Sequence, residues 1–405
     1  MTPTVAILGP TPRSGDPSTI GGVATHTVAL ADALRHQGVD AVVLSDTELA
    51  SHRSPSVIGV RGTSIGYIAR MVLKRPWLST AVLVRVLSSQ RRRALGVPVR
   101  RAFVRSLLVR EALEAVRPDV LHIQQADFRA LYAALAAYRV PTVLTVHGLG
   151  GLQTGEYPAL REVIPDQLTA ADAVVTPSRA LMDQVRQLGV TPRRARVVPN
   201  AIDHELFRPI EKRIARELTG LDASEGPVLL YAGRVTEHKG AGDLLEAFPR
   251  IRHAHPDAQL VMVGPWGLDT PAPERSSGVL TCGGVSADTM PAWFSAATLT
   301  IVPSRYEGFG LVALESLACG TPVVASHTGG LPEVVPPGAG MLVPPRSPAA
   351  LADAVNAALS DPEALSRMAA EARASAARFS WDATAQGFLG VYREILGGAV
   401  LTSQN

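Results

Sequence analysis

Thr4-Val-Ala-Ile-Leu-Gly9 is the stretch on which the fold turns. Four of its five leading residues are apolar and the run stops at a glycine, which reads as a short buried strand, Thr4–Leu8. A glycine-bearing loop over residues 9–22 follows and closes on Gly21-Gly22. Val23, Thr27, Leu30 and Leu34 then recur at helical spacing until Gly38 stops them. Val39–Leu44 is the next apolar run. Strand, helix and strand in so few residues imply two parallel strands joined over one face of a sheet.

The same alternation runs outward from this unit. Val120–Ile123, Thr142–Val146, Ala173–Val175 and Arg196–Val198 read as strands, with helical patterns at Ala102–Ala115, Arg129–Tyr138 and Ser178–Leu188. The pattern then restarts. Val228–Ala232, Leu260–Val263, Leu299–Val302 and Pro322–Ala325 are strand-like, and Gly240–Ala254 is helical. The fold class is therefore α/β, with two doubly wound halves. Val198-Pro-Asn-Ala-Ile-Asp203, followed by Pro209, punctuates the join, so domains are expected at 1–203 and 204–379. A closing helix is expected from Ser380, a suitable N-cap, within residues 380–405. Residues 61–96 show the least periodicity.

Composition agrees. At roughly 150 residues per domain, 405 residues suggest two to three domains. Hydrophobic residues at 46% and charged residues at 19% exclude a disordered chain. Two cysteines, Cys282 and Cys319, exclude a disulfide scaffold or a cysteine-rich zinc module and read as small core residues. The opening Met-Thr-Pro-Thr-Val-Ala carries no basic leader, and no run of about 18 apolar residues occurs, so a cytoplasmic location is expected. Charge is uneven. Residues 1–200 hold 24 basic and 14 acidic side chains, a net of +10. Within 61–117, 13 basic residues face only Glu111 and Glu114. Such a stretch is either an Arg-rich solvated helical face or a contact for an anionic partner, including an anionic membrane surface. Nucleic acid is not expected, because only Tyr67, Trp77 and Phe103 are available to stack on bases.

Ligands of open α/β sheets bind beyond the carboxyl ends of the strands, so the loops there are the candidates. Gly21-Gly22 at a helix start permits close approach of a phosphate. The loop lacks G-x-G-x-x-G, and Gly233-Arg-Val-Thr-Glu-His-Lys-Gly240 lacks a P-loop ending, so neither a nicotinamide nor an ATPase reading has support. Arg234 and Lys239 suit a diphosphate, a fork and a point charge, although each could equally be a surface cation. Glu307-Gly-Phe-Gly-Leu-Val-Ala-Leu-Glu315 follows the strand Leu299–Val302. It places Glu307 in the loop and Glu315 about one and a half turns into a helix, where a carboxylate can accept from a vicinal diol such as a ribose. His147 ends its strand and stands at the sheet's carboxyl edge. His253 and His255 have no third partner nearby in sequence, and no Asp-x-Asp occurs. No metal is expected.

Taken in order, Gly21-Gly22, His147-Gly148, Arg234, Lys239 and the Glu307/Glu315 pair resemble glycosyltransferase family 4, the group 1 transferases. Gly21-Gly-Val-Ala-Thr-His26, Val198–Asp203, Glu315-Ser-Leu-Ala-Cys-Gly-Thr-Pro322 and Gly329-Gly-Leu-Pro-Glu333 are similar to phrases of that family across nearly the whole chain. The resemblance implies a GT-B fold with two Rossmann-like domains facing an interdomain cleft: an acceptor-side N-terminal domain, a donor-side C-terminal domain, and the last helix returning to the first. It implies a retaining, metal-independent transfer from a nucleotide-diphosphate sugar, UDP before GDP, with no cofactor. The acceptor would be a small-molecule or lipid-linked hydroxyl. His147 and Glu307 would be catalytic. Gly21, Gly22, Arg234, Lys239, Glu315 and the amides of Phe309, Gly310 and Leu311 would bind the donor. Two alternatives stand beside it: a GT-B sugar-nucleotide epimerase, and a catalytically silent partner protein. The glycine-rich stretch Gly148–Gly155 has no assigned role.

Overall fold

The computed structural model describes residues 3–11, 22–45, 57–59, 69, 72–149, 160–221, 226–267 and 278–397. Packing divides the chain into two units, Met1–Pro199 with Trp381–Asn405, and Asn200–Ser380. Among the described residues, no helix is long and apolar enough to cross a membrane.

The first unit is built on seven parallel strands: β1 (Thr4–Gly9), β2 (Asp40–Ser45), β3 (Val57–Gly59), β4 (Val120–Gln124), β5 (Thr142–Thr145), β6 (Ala173–Thr176) and β7 (Ala195–Val197). Their order is β3-β2-β1-β4-β5-β6-β7. The chain runs outward from β1 to β3 and then restarts on β1's other side, so the topological switch lies between β1 and β4. Alternate residues go to opposite faces of a strand, and here both faces are covered. Ala6 and Leu8 join Leu121, Ile123 and Leu144 beneath the helices Val99–Val116 and Leu160–Ala170. Val5 and Ile7 join Val43, Val143 and Val175 on the other face. That face is closed by Gly22–His36 and by the last helix, Trp381–Ile395. The last helix buries Ala385, Phe388, Leu389 and Tyr392, the i, i+3, i+4, i+7 stripe of an amphipathic helix. Each large member stabilises by roughly 2 kcal/mol.

The second unit has six parallel strands: β8 (Val228–Ala232), β9 (Gln259–Val263), β10 (Val279–Gly283), β11 (Leu299–Val302), β12 (Val323–Ser326) and β13 (Gly340–Val343). Their order, β10-β9-β8-β11-β12-β13, puts the switch between β8 and β11. Leu229, Tyr231, Leu260 and Ile301 pack under Ala241–Ala254 and Pro348–Ser360. Leu230, Val261 and Val263 face Trp293 and Phe294. The unit is closed where Ile202 bridges to Ser380 and its amide donates to the Phe379 carbonyl at 3.0 Å.

Several expectations shift. The helix expected over Arg129–Tyr138 is Phe128–Leu135, because Ala137 takes a left-handed φ of 57° that ends it. Cys319 is buried but Cys282 is only half-buried, since β10 is an edge strand. The weakly periodic region contains helices at Pro76–Ser88 and Gln90–Ala94. The first of these is apolar on its inner stripe of Val82 and Val86 and also on its exposed side, with Trp77, Val84 and Leu87, which erases the hydrophobic period.

Candidate active site

In the second unit the carboxyl ends of β8 and β11 carry two loops that are locked together. After β8 the chain passes through Gly233 and Arg234 into a 3-10 turn, Glu237–Lys239, and then into the helix Ala241–Ala254. Gly240 at that junction has φ +73°, and a Cβ there would lie 1.9 Å from the Pro303 carbonyl oxygen, so only glycine lets the loops meet. The Arg305 amide donates to the His238 carbonyl at 3.0 Å. Its guanidinium forks onto Asp243, Nε to Oδ2 at 3.0 Å and Nη2 to Oδ1 at 2.6 Å, and reaches Glu237 at 2.9 Å. The hydrogen bond to Asp243 leads the causes that raise Arg305's pKa.

This frame sets the Lys239–Glu307 pair. Lys239 Nζ donates to Glu307 Oε2 at 2.8 Å, and Ser304 Oγ donates to the same oxygen at 3.2 Å. An ammonium has three donors, so Lys239 keeps two directions for an anion. Glu307 is held from behind by the loop after β12. The Gly330 amide donates to its carbonyl at 3.1 Å, and a Cβ on Gly329, at φ +52°, would lie 1.7 Å from that oxygen.

Arg234 is exposed, and no described residue hydrogen-bonds or pairs with its guanidinium. It offers its full fork from the carboxyl end of β8. Phe309 turns its ring into the core, edge-on to Phe379 at 5.6 Å, so only its backbone is available. Gly310, at φ +112°, is the N-cap of the helix Leu311–Ala318 and brings no capping side chain, which leaves the first-turn amides to an incoming group. Glu315 lies in the second turn of that helix. It has no partner among the described residues, and burial pushes its carboxyl up to about 8.

In the first unit, the switch between β1 and β4 brings together three histidines. Gly9 ends β1 where a Cβ would come within 2.7 Å of Thr27 Oγ1 and 3.1 Å of Gln124 Cβ, so glycine admits the helix Gly22–His36 close to the sheet. That helix delivers His26, β4 delivers His122 and Gln124, and the end of β5 delivers His147. The His26 and His147 rings meet edge-on at 4.8 Å. His147 Nε2 is 2.6 Å from Gln124 Oε1. Its turn is clamped by Gln125, whose Oε1 accepts from the His147 amide and whose Nε2 donates to the Gly148 carbonyl, both at 2.9 Å. Burial lowers His122 to about 3 and His147 to about 4, and holds His26 well below its ordinary value. All three are neutral at pH 7. Gly22 is exposed at the helix start, whereas Gly21 and residues 150–155 lie outside the described residues.

Sequence reasoning missed Ser304, Arg305, Asp243, Gln124, Gln125 and His122. Arg305 stands beside the Glu307 motif, and its position two residues ahead was the available signal. His122 and Gln124 lay in an apolar strand, and their alternate spacing on one face was a further signal. Among the described residues, no group of three or more His, Cys, Asp or Glu is arranged to hold a metal ion.

Comparison with known proteins identifies the family of the chain. Residues 219–375 match the family model for glycosyl transferases group 1, and residues 20–206 match that for glycosyltransferase family 4. A D-inositol 3-phosphate glycosyltransferase of Acidothermus cellulolyticus is 39% identical over 64% of this chain and 62% of its own length. A namesake from Catenulispora acidiphila is 35% identical over 69% of this chain and 73% of its own. The chain thus spans just under two thirds of the first relative and somewhat more of the second. Among solved structures, a sucrose-phosphate synthase from Thermosynechococcus elongatus aligns with a TM-score of 0.72 at 25% identity, over 98% of this chain and 100% of that one. Anabaena HepE shares the fold, with a TM-score of 0.70 at 20% identity, over 96% of this chain and 99% of that one. The chain belongs to glycosyltransferase family 4, the group 1 glycosyltransferases, and its two sheets are the Rossmann-like halves of the GT-B fold.

Proposed function

We propose that this protein transfers a sugar from a nucleotide-diphosphate sugar to a hydroxyl acceptor with retention at the anomeric carbon. The observation that carries this reading is the Lys239–Glu307 pair at 2.8 Å, beside an Arg234 fork and ahead of a Glu315 carboxyl, neither of which has a partner among the described residues. Breaking the anomeric C–O bond leaves negative charge on the diphosphate. Arg234 and Lys239 stabilise that charge, the general role of preorganised cations at a leaving group. Glu315 accepts the ribose diol. Glu307 and the amides of Phe309, Gly310 and Leu311 hold the sugar hydroxyls, while Gly21 and Gly22 approach the diphosphate through their backbone. From the first unit, neutral His147 supports the sugar as positive charge develops on it. The acceptor hydroxyl forms the new C–O bond on the departing face and passes its proton to the leaving phosphate oxygen.

The two cations supply the charge neutralisation that a divalent metal would otherwise provide, so the proposal includes activity that persists in chelator. A UDP sugar is the first donor to test and a GDP sugar the second. The names of the relatives make inositol 3-phosphate the first acceptor to test. The decisive experiment is thermal melting with a panel of nucleotide sugars, where a donor at 100 times its Kd adds about 2.7 kcal/mol. If no nucleotide sugar raises the Tm, or if Arg234→Ala binds as well as the parent, the reading fails.

We further propose cytoplasmic function with peripheral attachment to anionic membrane. On the helix Pro76–Ser88, Trp77, Val84 and Leu87 form one outward stripe, with Trp77 87% exposed, and Leu73 just ahead of it is 81% exposed. Exposed Lys74 and Arg85 flank the stripe. An apolar ridge edged by cations suits an anionic bilayer surface, while the surplus of positive charge in 61–117 opposes self-association. Co-sedimentation with phosphatidylglycerol vesicles should fall with salt and with Trp77→Ser. No binding at low salt would end this part of the proposal.

A further inference from the structure

The first unit contains a buried hydrogen-bonded chain that the proposed chemistry does not use directly. Tyr392, on the last helix, places its hydroxyl 2.8 Å from His122 Nδ1. His122 Nε2 lies 2.6 Å from Thr145 Oγ1 and 3.3 Å from Gln124 Nε2. Gln124 Oε1 lies 2.6 Å from His147 Nε2. Tyr392, His122, Gln124 and Thr145 are at most 2% exposed. Their alignment follows from the strand period: His122 and Gln124 are alternate residues of β4, and Gln124 is in register with Thr145 of β5. Tyr392 is delivered by a helix whose burial stripe fits the same face of the sheet. No carboxylate, lysine or arginine takes part in the chain. Among the described residues, the titratable groups around His147 are His26, His122 and, through His122, Tyr392.

Proton counting gives this chain a direction. An amide oxygen only accepts and an amide nitrogen only donates. Gln124 Oε1 therefore requires the proton of neutral His147 to sit on Nε2, leaving Nδ1 as a lone pair. Gln124 Nε2 and the Thr145 hydroxyl both donate to His122 Nε2, so His122 carries its proton on Nδ1 and donates it to the Tyr392 oxygen. Rotating the Gln124 amide reverses every one of these bonds at once. The tautomer of His147, and with it whether Nδ1 accepts or donates, is thus tied to a phenol 245 residues further along the chain.

We propose that Gln124, His122 and Tyr392 are positioning residues that fix His147 as its Nε2–H tautomer, so that Nδ1 faces a ligand as an acceptor. This deepens the assignment of His147 above and rests on it only for its effect on turnover. The last helix then does more than close the core, because it supplies the terminal acceptor of the wire.

The test is the ring ¹⁵N shifts of His147 in the full chain at pH 7, in the parent, in Tyr392→Phe and in Gln124→Glu. Tyr392→Phe keeps the buried ring and deletes only the terminal oxygen. His122 then carries its proton on Nε2 and donates a hydrogen bond to the Thr145 oxygen, the Gln124 amide turns, and His147 moves from Nε2–H to Nδ1–H. Gln124→Glu puts an acceptor between the two imidazoles, so His147 keeps Nε2–H and its titration rises from about 4 toward its ordinary value. Turnover of Tyr392→Phe should fall about tenfold with little change in donor KM. A His147 tautomer unchanged in Tyr392→Phe, or a titration unmoved in Gln124→Glu, overturns the wire. A tautomer that switches in a protein with no transferase activity in any form would sink the function proposed for His147 and leave the wire standing.

Discussion

Replacing Glu315 with glutamine should stabilise the protein at alkaline pH and leave it unchanged in acid. The unfolded chain ionises this carboxyl near its ordinary value of 4.5, whereas burial in the fold holds the proton to about 8. Between those values the folded state binds more protons than the unfolded one, so stability falls as pH rises. Below 4.5 both states are protonated and the effect vanishes; above 8 it is constant. At about 1.4 kcal/mol per pH unit the gap sets a ceiling of about 5 kcal/mol. Glu315 is partly accessible, so water recovers part of this, leaving about 2–3 kcal/mol. Glutamine is isosteric and breaks no bond, because no described residue donates to the carboxylate. For a unit the size of residues 200–380, each kcal/mol moves Tm by about 2–4 °C. Melting followed from pH 4.5 to 9 should show Glu315→Gln above the parent by roughly 5–10 °C at pH 9, converging in acid. At pH 9, where the folded carboxyl is ionised, the same variant should also lose donor affinity by about tenfold or more, since a hydrogen bond to a charged group contributes about 1.5–3 kcal/mol. An equal Tm difference at both ends of the range, or a variant less stable at pH 9, would refute the reasoning.

Lys239→Ala should reduce turnover by about 10²-fold or more if Lys239 supplies roughly 3 kcal/mol to the leaving group; unchanged kinetics would remove it from the mechanism. Gly329→Ala should abolish activity and destabilise the fold by about 3 kcal/mol or more, with a sharp drop in Tm, because its Cβ would overlap the Glu307 carbonyl at a left-handed φ; wild-type melting would show that the β12 loop does not clamp Glu307. Asp243→Asn strips the charge from the Arg305 fork between two partly buried groups and should cost about 2–3 kcal/mol by denaturant unfolding. No change there would mean that Glu237 alone holds the loop.

The strands that were legible are, with the exception of β7, those buried on both faces. β1, β4, β5, β8, β9, β11 and β12 each have neighbours on both sides and helices above and below, so each appears as a continuous apolar run. β3, β10 and β13 went unread. All three are sheet edges, and an edge has too little buried surface to select for such a run. The site divides along similar lines. Glycines and charged residues just beyond strand ends are visible because the chain there must turn and meet a ligand. Arg234, Lys239, Glu307, Glu315 and His147 could be singled out on that ground.

What the sequence could not show is which loops touch. Whether Lys239 reaches Glu307, 68 residues away, depends on β8 and β11 being neighbours at the switch, with Gly240 against Pro303. That Arg305 braces Asp243 rather than facing a ligand depends on the same adjacency. The wire from Tyr392 to His147 exists only because the last helix returns to the first sheet and seats a phenol on β4. Periodicity and local chemistry record which face of an element is dry and where the chain turns. Pairings between distant residues are decided when packing selects one arrangement of those elements, and no local pattern carries that choice.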